Sequence, residues 1–175
     1  VPWDPPPGIR LRRTPEGRDV GEMLIAGEID ALISPHPPHS VQDGHPKIKR
    51  LFPDTRAECL GHFRRTGYYP IMHLVSFEND LIERMPELPR TILDLWEEAK
   101  RQADDFYVDP GYSLLAFSRN EYEWQRETMG PDIWPSGLKA NRANLEQFIG
   151  YCHDQGLIDR KLPVDSLFHP SVLDT

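Results

Sequence analysis

The sequence predicts an α/β fold, and three observations carry that prediction. A helix signal, a glycine and an alternating apolar run follow one another between Asp19 and Ile33, the close order of an α/β unit. Tyr68 to Phe77 is rich in aromatic and β-branched residues, the composition of a strand. Proline accounts for 18 of 175 residues. That is about twice the ordinary share of ~5% and argues against a purely helical bundle.

Each element has a local reason. Residues 1–8 form a stiff, proline-rich opening that favours an extended path. Ile9 to Arg13 fits a short strand. Asp19 is a suitable N-cap for a helix through Met23 and Leu24 to Ala26, and Gly27 suits its end. Ile29, Ala31 and Ile33 then alternate with Asp30 and Leu32, as a strand requires. Ser34-Pro35-His36-Pro37-Pro38-His39 is too rich in proline to be regular. Ile48 to Phe52 fits a second short strand, closed by Pro53-Asp54. Ala57 to Arg65 reads as a helix ended by Gly67. Tyr68 to Phe77 is the strongest strand, expected to be buried, with Pro70 near its start where a missing donor is tolerated.

Two helices come next, Asn79 to Met85 and Pro89 to Ala103. In the second, Ile92, Leu95, Trp96, Ala99 and Ala103 form an apolar stripe at helical spacing. Residues 104–140 read as irregular with short helical pieces. Asn141 to Gln155 is a well-marked helix with Leu145, Phe148, Ile149 and Cys152 on one face and Gly156 at its end. The polar tail from Lys161 has anchors at Leu167 and Phe168.

Composition excludes several function classes. Lys plus Arg is 20 and Asp plus Glu is 28, so the net charge is −8 and the isoelectric point is about 5.3. Such a chain lacks the field that attracts phosphate backbones, so no nucleic-acid partner is expected. No apolar run approaches the ~20 residues that span a bilayer, so no membrane insertion is expected. Cys59 and Cys152 allow at most one disulfide, which excludes a disulfide scaffold. The chain opens without Met or a basic-then-apolar signal, and Val1-Pro2-Trp3-Asp4-Pro5-Pro6-Pro7 reads as the interior of a longer protein.

The sequence holds no nucleotide-binding glycine loop, no G-x-S-x-G, no C-x-x-C and no H-E-x-x-H. His36 and His39 have a spacing that metals use, but no acidic or thiol ligands crowd them, so no metal site is assigned. Arg64-Arg65-Thr66-Gly67-Tyr68-Tyr69-Pro70-Ile71-Met72-His73 gathers more chemistry at a helix-to-strand junction. In an alternating strand Tyr69, Ile71, His73 and Val75 share a face. The pattern alone favours a hydrogen-bonded core histidine and solvated arginines over a functional set. Asn141-Arg142 opens a helix, where an arginine helps an anion bound at free backbone N–H groups. Pattern alone favours a surface arginine beside an N-cap.

The motifs, taken in order, resemble a known family. Gly27-Glu28-Ile29-Asp30-Ala31-Leu32-Ile33-Ser34-Pro35, Arg50-Leu51-Phe52-Pro53-Asp54 and Thr66-Gly67 with Pro70-Ile71-Met72-His73 match its segments. Trp134-Pro135, Gly137-Leu138, Asn141-Arg142, Leu145, Tyr151, Gln155-Gly156-Leu157 and Leu167-Phe168 fit its C-terminal pattern. The family is the 4,5-dihydroxyphthalate decarboxylases, and the resemblance runs from Ile9 to Phe168. Single elements such as G-E-I-D-A are weak. The ordered set, above all P-I-M-H and W-P-x-G-L-x-x-N-R, is specific. Family members are nearly twice as long, so the resemblance implies that their first half is absent here. Ser136 stands where the family pattern has Tyr, and Pro86-Glu87-Leu88 where it has Pro-Trp-Val.

The resemblance implies a type 2 periplasmic-binding-protein-like fold of two α/β lobes around a cleft, present as its C-terminal portion. Residues 1–66 then belong to the second lobe. Residues 67–175 supply the crossing strand and the C-terminal part of the first lobe. Ser34 and His36, just past a strand end, are expected to face the cleft. The implied activity is decarboxylation of 4,5-dihydroxyphthalate to protocatechuate and carbon dioxide. It needs a proton for the ring carbon, electron release from the para phenolate and a hold on the second carboxylate, with no cofactor. Histidine suits the proton donor, which assigns His73. Arginine suits the carboxylate, which assigns Arg65 and Arg142. Tyr69 suits a ring hydroxyl.

The expected partner is a small aromatic dicarboxylate, with dependence on the missing N-terminal half; a homo-oligomer is left open. The decarboxylase reading implies a cytoplasmic protein. The alternative is a non-catalytic solute-binding protein of an uptake system for an aromatic acid or sulfonate, which implies the periplasm.

Overall fold

The computed structural model describes residue 5, residues 7–109, residue 111 and residues 113–175. Residues 1–4 and 6 of the expected proline-rich opening lie outside the described residues, as do 110 and 112 of the expected irregular stretch. The chain divides into two compact units, one ending at Cys59 and one running from Leu60 to Thr175.

Among the described residues the regular structure is helical, with no strand and no sheet. This overturns the expected α/β, type 2 periplasmic-binding-protein-like fold and its two-lobed cleft. The segments read as strands, Ile9 to Arg13, Ile29 to Ile33, Ile48 to Phe52 and Tyr68 to Phe77, are all irregular. The physical reason is pairing. β-propensity records how well a side chain fits a pleated, half-buried surface, and a strand exists only with a ladder partner. These segments have none among the described residues. Ile33 and Leu51 are fully or largely exposed. Met72, Leu74 and Val75 are 71%, 59% and 69% exposed, where a buried strand was expected.

The first unit is organised around α1 (Val20–Ala26). Its ends obey the local sequence code. The Asp19 carboxylate accepts from the Glu22 N–H at 2.9 Å. Gly27 takes the left-handed conformation at φ 72°, and the Glu28 and Gly27 N–H groups close back on the carbonyls of Met23 and Leu24. Met23 is the buried apolar side chain of this helix. The short α2 (His39–Gln42) packs on α1. The approach is close at Gly21, where a Cβ would stand 2.7 Å from Pro38 Cβ and 2.8 Å from Ser40 Oγ. α3 (Thr55–Thr66) begins in this unit.

The second unit contains α4 (Asn79–Arg84), α5 (Leu88–Val108), α6 (Ser118–Met129) and α7 (Leu138–Asp154). Two 3-10 turns, Val164–Leu167 and Pro170–Val172, complete it. Its core is Leu138, Leu145, Ile149 and Val164, with Ile71, Ile158, Phe168 and Leu173 packed around them. The first three fall at helical spacing on one face of α7, which makes α7 the spine of the unit. Pro89 sits in the first turn of α5, where a missing N–H costs nothing. Leu95 and Trp96 of the expected α5 stripe are exposed.

α6, 12 residues long, lies where only short helical pieces in an irregular stretch were expected. Its sequence has no apolar stripe, and its support comes from side-chain pairs one turn apart, such as Arg119 on Glu123 at 2.7 Å and Gln125 on Glu121 at 2.9 Å. It is fixed to α5 by Tyr122, whose hydroxyl donates to Asp104 at 2.7 Å and whose ring stacks on Tyr107 at 6.0 Å. α7 begins at Leu138, so Asn141 is not its N-cap. The Asn141 amide donates instead to the carbonyls of Pro135 at 2.6 Å and Gly137 at 2.9 Å.

Candidate functional site

The second unit carries an open groove of about 1490 Å³. Its walls are the irregular segment 69–77, the α4–α5 region, residues 133–137, α7 as far as Ile149 and residues 166–172. Its lining is mostly aliphatic, with aromatic rings at Tyr69, Trp96, Trp134 and Phe148 and two imidazoles, His73 and His169.

The wall that bears Tyr69 and His73 is built from the end of α3. The Thr66 hydroxyl lies 3.0 Å from the His62 carbonyl and 3.1 Å from the Tyr68 carbonyl, closing the last turn. Gly67 then reverses the chain at φ 79°, a conformation glycine adopts without steric cost. Two contacts fix the next two residues onto α7. The Tyr68 hydroxyl donates to Gln147, and the Asn144 amide donates to the Tyr69 carbonyl at 3.1 Å. Burial pushes the Tyr68 phenol pKa up, and neighbouring Tyr151 adds to the shift. Asn144 is only 7% exposed.

The aromatic end is equally fixed. Tyr69 meets Trp134 edge to face, with centroids 4.8 Å apart and planes at 71°. Lys100 Nζ donates to the Trp134 carbonyl at 2.8 Å and to Asp132 at 3.0 Å, holding that loop to α5. At the start of α7 the Leu138 N–H donates to Thr175 Oγ1 at 3.2 Å, and the Lys139 N–H to the Thr175 carbonyl at 2.6 Å. His169 Nδ1 accepts from the Ser171 N–H at 3.3 Å and lies 2.9 Å from the Ser171 hydroxyl.

Of the candidate site residues chosen from sequence, the groove brings together Tyr69 and His73. His73 is exposed rather than a core histidine. Arg142 lies in the second turn of α7 and donates to Asp165 at 2.5 Å; it does not line the groove. Arg65 is exposed in the last turn of α3 and does not line it either. Ser34 and His36 belong to the first unit, where the Ser34 hydroxyl donates to the His36 carbonyl at 2.7 Å and accepts from the His36 N–H. Among the described residues no group of three His, Cys, Asp or Glu side chains is placed to hold a metal ion. No helix among them is long and apolar enough to cross a membrane.

Sequence reasoning missed Asn144, Trp134 and His169 as site residues. Asn144 had a signal, since it is an amide beside Leu145 on a face that is otherwise apolar. His169-Pro170-Ser171 also had one, a polar capping residue with Pro directly after it.

No protein-family model matches the chain. A protein of Comamonas testosteroni named 4,5-dihydroxyphthalate decarboxylase is 33% identical over 172 residues, covering 97% of this chain and 52% of the relative. A Pseudomonas putida protein of the same name is 32% identical over 63 residues, 36% of this chain and 24% of the relative. The chain thus spans about half the length of the Comamonas testosteroni relative.

Proposed function

Because the chain belongs by sequence to the 4,5-dihydroxyphthalate decarboxylase family, we propose that it forms part of a carboxy-lyase acting on a dihydroxylated aromatic dicarboxylate. The reaction in this reading converts 4,5-dihydroxyphthalate to protocatechuate and carbon dioxide. The observation that carries it is the 33% identity sustained over 97% of the chain. The groove is compatible in its chemistry: apolar walls that include several aromatic rings suit a benzene ring, and imidazoles suit proton transfer and carboxylate recognition.

In the proposed mechanism the phenolate para to the departing group pushes electrons into the ring. The ring carbon bearing that carboxylate takes a proton from the His73 imidazolium, forming a C–H bond. The C–C bond to the carboxylate then breaks, its electron pair restores aromaticity, and carbon dioxide leaves. Neutral His73 regains its proton from solvent, which its exposure permits. The Tyr69–Trp134 pair forms one aromatic wall against the ring.

The test is an assay of the full natural polypeptide that carries this sequence, with 4,5-dihydroxyphthalate as substrate. Release of carbon dioxide with stoichiometric protocatechuate is expected. Tight binding without turnover would replace this reading with that of a solute-binding protein.

A further inference from the structure

We propose that His169 is a substrate-binding residue of the groove, its Nε2–H donating to a carboxylate of the aromatic acid. This rests on the aromatic dicarboxylate reading and adds the group that recognises the anion.

A carboxylate entering an apolar groove gives up water and needs donors in return. Among the described residues that line the groove there is no Lys and no Arg, and the acid Glu83 repels an anion. The imidazole donors on the lining are His73 and His169. His73 is committed to the ring carbon in the proposed mechanism. His169 is left for the carboxylate.

Hydrogen bonding sets the tautomer of His169. A backbone N–H can only donate, so Nδ1, which faces the Ser171 N–H at 3.3 Å, must present its lone pair. The proton of the neutral ring therefore sits on Nε2. Among the described residues no protein group hydrogen-bonds to Nε2. The neutral ring of His169, a lining residue of the groove, thus carries its N–H on the nitrogen that has no hydrogen-bond partner among the described residues.

The ring is also held in place. His169 caps the Pro170–Val172 turn, which packs on α5, and Pro170 fixes the backbone beside it. On its other side Phe168 packs against the core of α7 and Val164. An imidazole half-buried between two anchored neighbours loses little freedom on binding, which favours its use as a recognition group.

The experiment is calorimetric titration of phthalate (benzene-1,2-dicarboxylate) into the full natural polypeptide and two variants. His169→Asn keeps an acceptor oxygen near Nδ1 for the Ser171 N–H and removes the Nε2–H. His169→Gln places an amide N–H near Nε2. The expected result is at least a tenfold weaker affinity for His169→Asn at an unchanged melting temperature, with His169→Gln restored to within threefold of the parent. Equal affinity of His169→Asn and the parent overturns the proposal, as does failure of His169→Gln to improve on His169→Asn. Loss of melting temperature and affinity together in both variants assigns His169 a structural role and also overturns it. If the parent itself is folded and binds no phthalate, the aromatic dicarboxylate reading fails and the proposal falls with it.

Discussion

The Asn144 amide donates to the main-chain carbonyl of Tyr69 at 3.1 Å, joining positions 75 residues apart in the sequence. Among the described residues Asn144 is the buried polar residue of the second unit, and it sits on α7, so it ties the groove wall to the spine. Asn144→Ala leaves the Tyr69 carbonyl without its donor. The expected loss is about 1–3 kcal/mol of stability, read by chemical denaturation of the full chain. Asn144→Gln, which keeps the amide but lengthens its reach, should recover only part of that loss. A variant as stable as the parent would show that the bond contributes nothing.

Gly137 takes φ 88° and ψ 162°, a region almost reserved for glycine, and a Cβ there would lie 2.8 Å from the Thr175 backbone. Gly137→Ala should cost about 1–3 kcal/mol in strain alone and displace Thr175 from the first turn of α7. Thermal unfolding gives the cost, and the Lys139 amide resonance in NMR spectra reports the displacement. No change in either contradicts the contact.

Arg142 and Asp165 form an exposed ion pair at 2.5 Å, and such pairs contribute at most about 1 kcal/mol. Arg142→Ala is therefore expected to shift stability by less than that amount. Since Arg142 does not line the groove, phthalate affinity should stay within about twofold of the parent's in calorimetry, RT ln 2 being well under the ~1.4 kcal/mol of a tenfold change. A tenfold loss would return Arg142 to the site as a carboxylate anchor.

Burial first, and then its hydrogen bond to Asp104, push the Tyr122 phenol pKa above its ordinary value of 10.0. A pKa raised in the folded state means the protonated form is favoured by folding. The associated stability is fully present below pH 10 and is lost as pH rises through the folded-state value. Denaturation midpoints measured across that alkaline window should fall for the parent and fall less for Tyr122→Phe. Parallel curves would dissociate Tyr122 from the alkaline response.

His73→Asn retains size and some hydrogen bonding but cannot deliver a proton in the proposed way. Turnover of 4,5-dihydroxyphthalate by the full polypeptide should fall at least ~100-fold, the lower range for loss of a general acid. Phthalate affinity should change far less. Full turnover in this variant removes His73 from the acid role.

What the sequence disclosed depended on how local the information was. α1 was legible to the residue, because Asp19 and Gly27 act on backbone groups within one turn of themselves. α3, α4, α5 and α7 were legible in position, α5 and α7 through their periodicity, though the start of α7 was misplaced because Asn141 bonds backward from inside the helix. α6 was missed because its support comes from charged pairs and one tyrosine rather than an apolar stripe. The strands failed because pairing is a property of two segments, and an isolated alternating run says nothing of its neighbour. For the groove, Tyr69 and His73 were found through their crowded motif. His169 was missed because its usefulness depends on a tautomer set by Ser171. The partner of Arg142, Asp165, lies 23 residues away and no local pattern connects them.

The two bonds that fix Tyr68 and Tyr69 land on Gln147 and Asn144, one turn apart on the same helix. Neither can persist if that stretch of α7 unwinds, so both open in one cooperative event. Slow hydrogen exchange at the amides around Asn144 to Ile149 would then measure the lifetime of the groove wall as well as that of the helix. Beyond Pro70 the segment 71–77 forms no regular backbone ladder, and its amides should exchange on the timescale of unstructured peptide. The exchange expected is thus free along 71–77 and protected at its root, and the root's protection would report how often Tyr69 leaves Trp134.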